Sequence, residues 1–407
     1  MQCDGGDRGV TGSIAMRESS GMPDFSRAVE VTPAAVAAEA ERRTGLTASG
    51  GTYQPGLELV CAGLTSARLT PGGRALLAGE AVDYLANRLR VDDEHRRRPE
   101  LAASPVVSPV VILGLPRTGT TVLSYLLDRD PQWRSLLNWE AIQSVPPPTT
   151  HTLRSDQRCL DRLAFQEAVF PTLDPPPPHW EWADGPTECT FLLAQDFRTV
   201  MWETRVPNPD YREFLSTCDM GPAYQHHRRT LQVLQSQAPG RWVLKMPAHA
   251  YFIDTLLDTY PDARIIWAHR DPYRAAASFM DLVSFAHGLA LREVDTVWIA
   301  HSTPPRLAEY VRRAEEALGG RDVHHVHYTA MAADPLGEMA RLYRWLDLEL
   351  GDEVRRSMQQ WITDDPIRKP RKRPYGLADF GLVRTDLEPA FADYVARYDI
   401  TLEPGAD

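Results

Sequence analysis

Residues 109–131 read PVVILGLPRTGTTVLSYLLDRDP, and this stretch decides the fold class. It begins with aliphatic and β-branched residues, as a buried parallel strand does, and continues through a glycine-containing turn into a helical pattern. The same order of strand, turn and helix recurs at three later segments, which are RWVLKMP (241–247), ARIIWAHRDP (263–272) and DVHHVHY (322–328). We therefore predict an α/β, P-loop-like, three-layer fold with helices on both faces of a central parallel sheet.

The remainder of the chain divides around these units. Residues 1–30 are rich in Gly, Ser and acidic residues and are predicted to be disordered. Residues 31–103 are predicted to form an N-terminal helical region. The α/β domain is expected over 104–390, and it carries a mostly helical, aromatic-rich cap as an insertion at about 140–240. Residues 391–407 are assigned to a C-terminal tail.

The composition narrows the possible partners. A net charge of −11 speaks against nucleic acid as a partner, because nucleic-acid binding needs a broad basic surface. Five cysteines without a Cys-x-x-Cys pair fit a reducing cytoplasm better than a disulfide framework. Neither a secretory leader nor an apolar run of about 18 residues is found, so no integral membrane span is expected, while peripheral contact with a membrane stays open.

The turn after the first strand has the spacing of a phosphate-binding loop. Gly114 and Gly119 are separated by four residues, but Thr120 stands where a P-loop carries its lysine. Backbone N–H groups and a helix N-terminus still make an anion site, and the guanidinium of Arg117 adds donors. Without the lysine, magnesium-assisted chemistry on a nucleoside triphosphate is disfavoured. The alternative interpretation is an ordinary structural turn between a strand and a helix.

This stretch resembles the 5′-phosphosulfate-binding loop of sulfotransferases that use 3′-phosphoadenosine-5′-phosphosulfate (PAPS). It is closest to a bacterial group with an LPRTGTT sequence, and it is also similar to tyrosylprotein sulfotransferases. The resemblance covers roughly residues 105–385 and implies in-line transfer of a sulfuryl group from PAPS to a hydroxyl, which leaves PAP as the product. It implies nucleotide ligands in the loop, which we take to be Pro116, Arg117, Thr118, Gly119, Thr120 and Thr121.

A second nucleotide site is implied by the third strand unit. In the family, an arginine at a strand end and a serine eight residues later bind the 3′-phosphate, and Arg270 and Ser278 have this spacing. The alternative for Arg270 is membership of a surface ion pair. Tyr328 is predicted to lie near the nucleotide, although a buried structural tyrosine is a close alternative. The basic run 368–376 resembles a loop that closes over PAPS, with Arg373 as its candidate ligand, or it is a solvated charged loop.

Three residues are predicted to catalyse the transfer. Lys245 ends an otherwise apolar strand, where its charge needs an anionic partner, and the leaving phosphate would be one. A lysine that extends to solvent from a strand end is the alternative. Arg117 is predicted to donate hydrogen bonds to the sulfuryl oxygens. The general base is predicted to be Glu140, which lies where glutamate-using relatives place theirs, and apolar surroundings beside Trp139 would raise its pKa.

Other residues compete for the base and acceptor roles. Cytosolic small-molecule sulfotransferases use a histidine two residues after the strand lysine, but Pro247 occupies that position here. His249, four residues after Lys245, is the second candidate for the base, and Glu188 in the cap is the third. Trp139, His249 and Glu188 are also the candidate contacts of the acceptor. No histidine spacing is typical of metal binding, so no metal is predicted.

The acceptor itself is described only by class. The aromatic and apolar cap indicates a small hydrophobic or lipid-like alcohol or phenol. Two other classes of function remain open, a P-loop kinase or NTPase and a nucleotide-binding homologue without activity. The missing P-loop lysine argues against the first, and the joint presence of Arg117, Glu140 and Lys245 argues against the second.

Overall fold

The structure is a computed structural model that describes residues 31–48, 50–173, 176–364 and 375–404. Its centre is a parallel sheet of β1 (Val110–Gly114), β2 (Trp133–Ser135), β3 (Arg241–Lys245), β4 (Arg264–His269) and β5 (Val323–His327). The strands are arranged in the order β2-β3-β1-β4-β5. The predicted α/β fold is confirmed, and so are the four predicted strands. The three-residue β2 was not predicted, because so short a strand leaves no periodic pattern in the sequence.

Helices cover both faces of this sheet. Those that precede β3 are α1 (Pro33–Thr44), α2 (Gln54–Leu64), α3 (Pro71–Arg97), α4 (Thr120–Leu127), α5 (Asn138–Ile142), α6 (Gln157–Val169), α7 (Thr190–Ala194), α8 (Val200–Arg205), α9 (Pro209–Thr217) and α10 (Gly221–Gln235). Those that follow it are α11 (Ile253–Thr259), α12 (Pro272–Ala290), α13 (Thr296–Leu318), α14 (Tyr328–Ala333), α15 (Pro335–Trp345), α16 (Asp352–Asp364) and α17 (Arg384–Arg397). Short 3₁₀ helices occupy Pro99–Ala103, Phe170–Thr172, Pro247–Ala250 and Leu377–Phe380.

The strand residues alternate between two apolar cores. Val111, Trp242 and Trp267 face the larger core, which also contains the N-terminal helices and most of the cap. Ile112 and Val243 face a smaller core on the opposite side of the sheet. Because both faces are covered, the strands read as continuous apolar runs rather than as alternating ones.

The N-terminal region is helical, as predicted. Thr32 begins α1 by accepting a hydrogen bond from the backbone N–H of Ala35 at 3.1 Å, with proline at the first helical position. Helix α3 continues to residue 97. Its last turns carry ion pairs at helical spacing, such as Asp93 with Arg97 at 2.8 Å, which support the end of the helix.

One stretch of the cap contacts the central sheet. The backbone N–H of Cys189 donates to the carbonyl of Lys245 at 2.9 Å, and Leu137 pairs with Pro186 in an isolated bridge. The stretch 179–189 is thereby attached to the carboxyl end of β3. The predicted start of the C-terminal tail at residue 391 falls inside α17, and the predicted disorder of 1–30 concerns residues outside the described ranges. Among the described helices, none is both long and apolar enough to cross a membrane.

Candidate active site

The loop after β1 is shaped by its glycines. Gly114 has a φ of 145°, and a Cβ added there would meet the carbonyl oxygen of Ala268 at 2.4 Å, so only glycine fits between the strands. Gly119 has a φ of 91° and directly precedes α4. Arg117 is also left-handed, with a φ of 68°, a conformation that few non-glycine residues adopt. This turn brings the N-terminus of α4 to the carboxyl edge of the sheet, where an anion would meet its backbone N–H groups.

The remaining loop residues mostly fix the turn. The hydroxyl of Thr118 donates to the carbonyl of Leu115 at 2.8 Å, and Thr118 and Pro116 are buried. Thr120 and Thr121 form the first positions of α4, and Thr121 is partly exposed. Thr118 therefore stabilises the loop internally, while Thr120 and Thr121 occupy the helix end at which an anion would bind.

Four residues predicted to bind the nucleotide lie together. The Nε of Arg117 donates to the hydroxyl of Ser278 in α12 at 3.1 Å. Arg270, directly after β4, donates from Nη1 to the carbonyl of Arg117 at 2.9 Å, and its guanidinium lies 4.0 Å from the ring centroid of Tyr328. The carboxyl ends of β1, β4 and β5 thus supply one cationic cluster, at the edge where parallel sheets bind their ligands.

Arg270 also binds a carboxylate from the C-terminal segment. Its Nε and Nη2 donate to the two oxygens of Glu403 at 2.6 and 2.8 Å, and the N–H of Glu403 donates to Asp271 at 2.7 Å. The side chain of Arg270 is only 11% exposed. The ion pair given above as the alternative role of Arg270 therefore exists, but it is largely buried. The two oxygens of Glu403 occupy the edge of the guanidinium at which a phosphate would bind.

Lys245 is enclosed by acidic residues of the cap. Its side chain is 1% exposed, and Nζ donates to Glu181 at 2.7 Å and to Glu188 at 3.1 Å. Burial acts to lower the pKa of Lys245, but the two carboxylates outweigh it and the pKa is raised, so the ammonium stays protonated. Glu181 also accepts a hydrogen bond from the hydroxyl of Thr187 and lies 3.2 Å from Nε2 of His179.

Comparison with known proteins assigns the fold and the site to a family. A model of the Sulfotransferase family matches residues 109–352, which is more than half of the chain. The chain belongs to this family. It is similar to the crystal structure of sulfotransferase STF9 from Mycobacterium avium, at 39% identity and a TM-score of 0.86, over 92% of this chain and 98% of the other.

Two further sulfotransferases are similar to this chain. The structure of sulfotransferase STF1 from Mycobacterium tuberculosis is similar at 28% identity and a TM-score of 0.79, over 90% of this chain and all of that one. The omega-hydroxy-beta-dihydromenaquinone-9 sulfotransferase Stf3 of Mycobacterium bovis is 25% identical over 272 residues, which are 63% of this chain and 67% of that protein.

The contacts of Glu140, the predicted base of this sulfotransferase, lie within the fold. Glu140 is fully buried, and both its oxygens accept hydrogen bonds from the guanidinium of Arg134, at 2.8 and 2.6 Å. One of them also accepts from the backbone N–H of Leu137 at 2.9 Å, and Arg134 in turn lies over the ring of Trp242. In this structure both oxygens of Glu140 are therefore occupied by partners within the fold, and these contacts favour a structural role over that of the base.

Trp139 and His249, the predicted acceptor contacts, are both buried inside this sulfotransferase. Trp139 is buried, and its Nε1 donates to the carbonyl of Leu153 at 2.8 Å. His249 is fully buried with Nδ1 at 2.8 Å from the hydroxyl of Tyr224, and burial lowers its pKa well below the ordinary value. A shielded imidazole that resists protonation is a poor base. The candidate Arg373 lies outside the described residues.

Sequence reasoning missed Glu181 and His179. Both residues lie in the cap, and Glu181 precedes Lys245 by 64 residues. The only feature of the local sequence that marks them is a carboxylate residue between two tryptophans. With Glu188 they place one potential metal-ligand atom each within 4.8 Å of one another. The ammonium of Lys245 already binds both carboxylates, and its charge would repel a metal ion there. The cluster of His179, Glu181 and Glu188 is therefore better suited to binding the ammonium of Lys245 than to binding a metal ion.

Proposed function

We propose that this sulfotransferase transfers the sulfuryl group of PAPS to a hydroxyl of a hydrophobic, lipid-like acceptor. The observation that carries the proposal is the convergence of Arg117, Arg270, Ser278 and Tyr328 beside the glycine loop. Two guanidinium groups and a helix N-terminus at one sheet edge suit a ligand with separate anionic groups. A P-loop lysine for a nucleoside triphosphate is absent from this loop sequence.

The two anionic ends of PAPS would use different parts of the cluster. The 5′-phosphosulfate would bind the loop N–H groups, Thr120, Thr121 and Arg117, with Pro116, Thr118 and Gly119 shaping the loop. The 3′-phosphate would bind Arg270 and Ser278, and Tyr328 would flank the nucleotide. This arrangement requires Glu403 to leave Arg270 when the nucleotide binds, because both anions use the same guanidinium edge.

The chemistry would be an in-line displacement at sulfur. The acceptor oxygen forms a bond to sulfur while the bond between sulfur and the bridging oxygen breaks, and PAP leaves. Lys245, kept protonated by its carboxylate neighbours, would stabilise the charge that develops on the bridging oxygen. In place of Glu140, we propose Glu188 as the base that takes the acceptor proton. It contacts Lys245 and its side chain is 24% exposed, against 6% for Glu181.

A lipid-like acceptor is supported by two observations. The relative Stf3 is named for a hydroxylated menaquinone, a lipid with a hydroxyl group. In this chain, Trp180 and Trp182 flank Glu181 and form a partly exposed aromatic group with Phe170, with ring centroids 5.2 to 6.1 Å apart. Aromatic surface so close in sequence to the reactive cluster suits an apolar acceptor better than a sugar.

Thermal unfolding with added nucleotides tests the donor. PAP at 100 times its dissociation constant should stabilise the protein by about 2.7 kcal/mol, while AMP and ATP should stabilise it less. AMP is the matched control because it lacks only the 3′-phosphate of PAP. Stabilisation by ATP but not by PAP would instead favour a kinase or NTPase. PAP binding without sulfation of any apolar alcohol by PAPS would favour the inactive homologue.

A further inference from the structure

We infer that the two carboxylates on Lys245 have different tasks, and that Glu181 is the positioning residue that holds the ammonium in place throughout the reaction. This inference rests on the proposed function and deepens it. Glu188 would release Lys245 when the phosphosulfate arrives and would take the acceptor proton. Glu181 would not release it and would not exchange a proton with the substrate.

The geometry separates the two carboxylates. Glu181 makes the shorter contact with Nζ of Lys245, at 2.7 Å against 3.1 Å for Glu188. Its side chain is 6% exposed, whereas that of Glu188 is 24% exposed. The second oxygen of Glu181 is bound by the hydroxyl of Thr187, and its first oxygen also faces His179 at 3.2 Å. Glu181 is therefore bound by Lys245 and Thr187 and also faces His179, and Glu188 is the more accessible of the pair.

The backbone at Glu181 is fixed as well. Gln166 in α6 donates from its side-chain amide to the carbonyl of Glu181 at 2.9 Å. The oxygen of the same amide accepts from the N–H of Ala183 at 2.7 Å. Gln166 is buried, so a single side chain fixes the cap segment at Glu181 and again two residues later. Such bonding fixes the position of a side chain on a segment without regular secondary structure.

The electrostatics agree with this division. Burial acts to raise the pKa of Glu181, but Lys245 and His179 outweigh it and the net pKa is well below the ordinary value. A carboxylate that is so reluctant to accept a proton is a weak base, but it is a durable partner for an ammonium. Lys245 has three N–H donors, so it can keep its bond to Glu181 and still donate to the bridging oxygen.

The test compares Glu181→Gln with Glu188→Gln in the full chain, using PAPS, an apolar alcohol and a range of pH. Glu188→Gln should lower kcat by about 10²–10⁴-fold at every pH, the usual weight of a general base. Glu181→Gln should lower kcat by about 10–100-fold, as loss of an orienting residue does. Its activity should also fall at a lower alkaline pH than that of the wild type, because the more strongly acting of the two carboxylates that raise the pKa of Lys245 has lost its charge.

Two further variants show whether the change in pH profile arises at the lysine. Glu181→Asp retains the charge and should restore most of the alkaline activity. Lys245→Arg combined with Glu181→Gln should abolish the alkaline loss, because a guanidinium does not titrate in this range. Glu181→Gln and Glu188→Gln should both still bind PAP in calorimetry, which shows that both are folded.

The inference is overturned if Glu181→Gln has the pH profile of the wild type, or if it loses the larger factor while Glu188→Gln keeps full activity. If Glu181→Gln does not fold, the rate of Glu181→Asp decides: it should lose less in kcat than a matched Glu188→Asp variant, and a larger loss in Glu181→Asp would contradict the division of tasks. A wild type that neither binds PAP nor turns over PAPS would instead refute the proposed function.

Discussion

Replacing Glu140 by glutamine is expected to damage the fold and not the chemistry. The change keeps the shape of the side chain but removes the charge that faces Arg134. The two side chains are 0% and 4% exposed, and they share two hydrogen bonds of 2.8 and 2.6 Å. Removing one partner of a buried pair costs about 3–5 kcal/mol, because the other charge is left without compensation. We expect about 3 kcal/mol, since the glutamine still offers one acceptor oxygen.

The assay combines urea unfolding with single-turnover sulfation. The unfolding midpoint should fall, while the rate per PAP-binding molecule should stay within about threefold of the wild type. Glu388→Gln is the matched control, because that glutamate lies on α17 with 46% of its side chain exposed. It should change stability by less than about 0.5 kcal/mol. The double variant Arg134→Met with Glu140→Leu should regain much of the stability, since apolar pairs often replace buried ion pairs without loss.

One result would refute this reasoning. If Glu140→Gln unfolds at the urea concentration of the wild type but loses about 10²–10⁴-fold in rate, then Glu140 is the general base and its pairing with Arg134 is not structural.

Further predictions concern the nucleotide and the leaving group. Arg270→Ala should bring the affinity for PAP down to that for AMP in titration calorimetry, because the residue proposed to recognise the 3′-phosphate is lost; a preserved preference for PAP would contradict this. Glu403→Gln should strengthen PAP binding by about tenfold, since a charge-assisted bidentate contact of roughly 1.5 kcal/mol no longer competes, and an unchanged affinity would show that the segment does not compete. Lys245→Met should lower kcat by at least about 10²-fold while PAP still binds, and sulfation at the wild-type rate would remove Lys245 from the mechanism.

The nucleotide cluster could be predicted because it depends on local sequence. The apolar run at 109–115 has the length and composition of a buried strand, and the glycine loop has a fixed spacing. Parallel strands bring their carboxyl ends to one edge of the sheet. Residues that directly follow different strands therefore lie close together, however long the chain between them is. The structure puts Lys245 at the end of β3, Arg270 directly after β4 and Arg117 in the loop that follows β1, while the nucleotide roles of Arg117 and Arg270 were predicted from the resemblance to the family.

The carboxylates around Lys245 could be predicted only in part, because Glu188 was a candidate from the sequence and Glu181 was not. Glu181 meets Lys245 across 64 residues of cap, and no periodic pattern relates the two. Glu140 had a suitable place in the sequence, but Arg134 lies on β2, a strand of only three residues, and approaches Glu140 when that strand pairs with β3. Strand and loop signals arise from neighbouring residues, whereas the partner of a buried charge is set by how the cap and the sheet pack. For this chain, the sequence therefore predicted which residues meet at the carboxyl edge of the sheet, and only the packing of the cap decided which carboxylates surround Lys245.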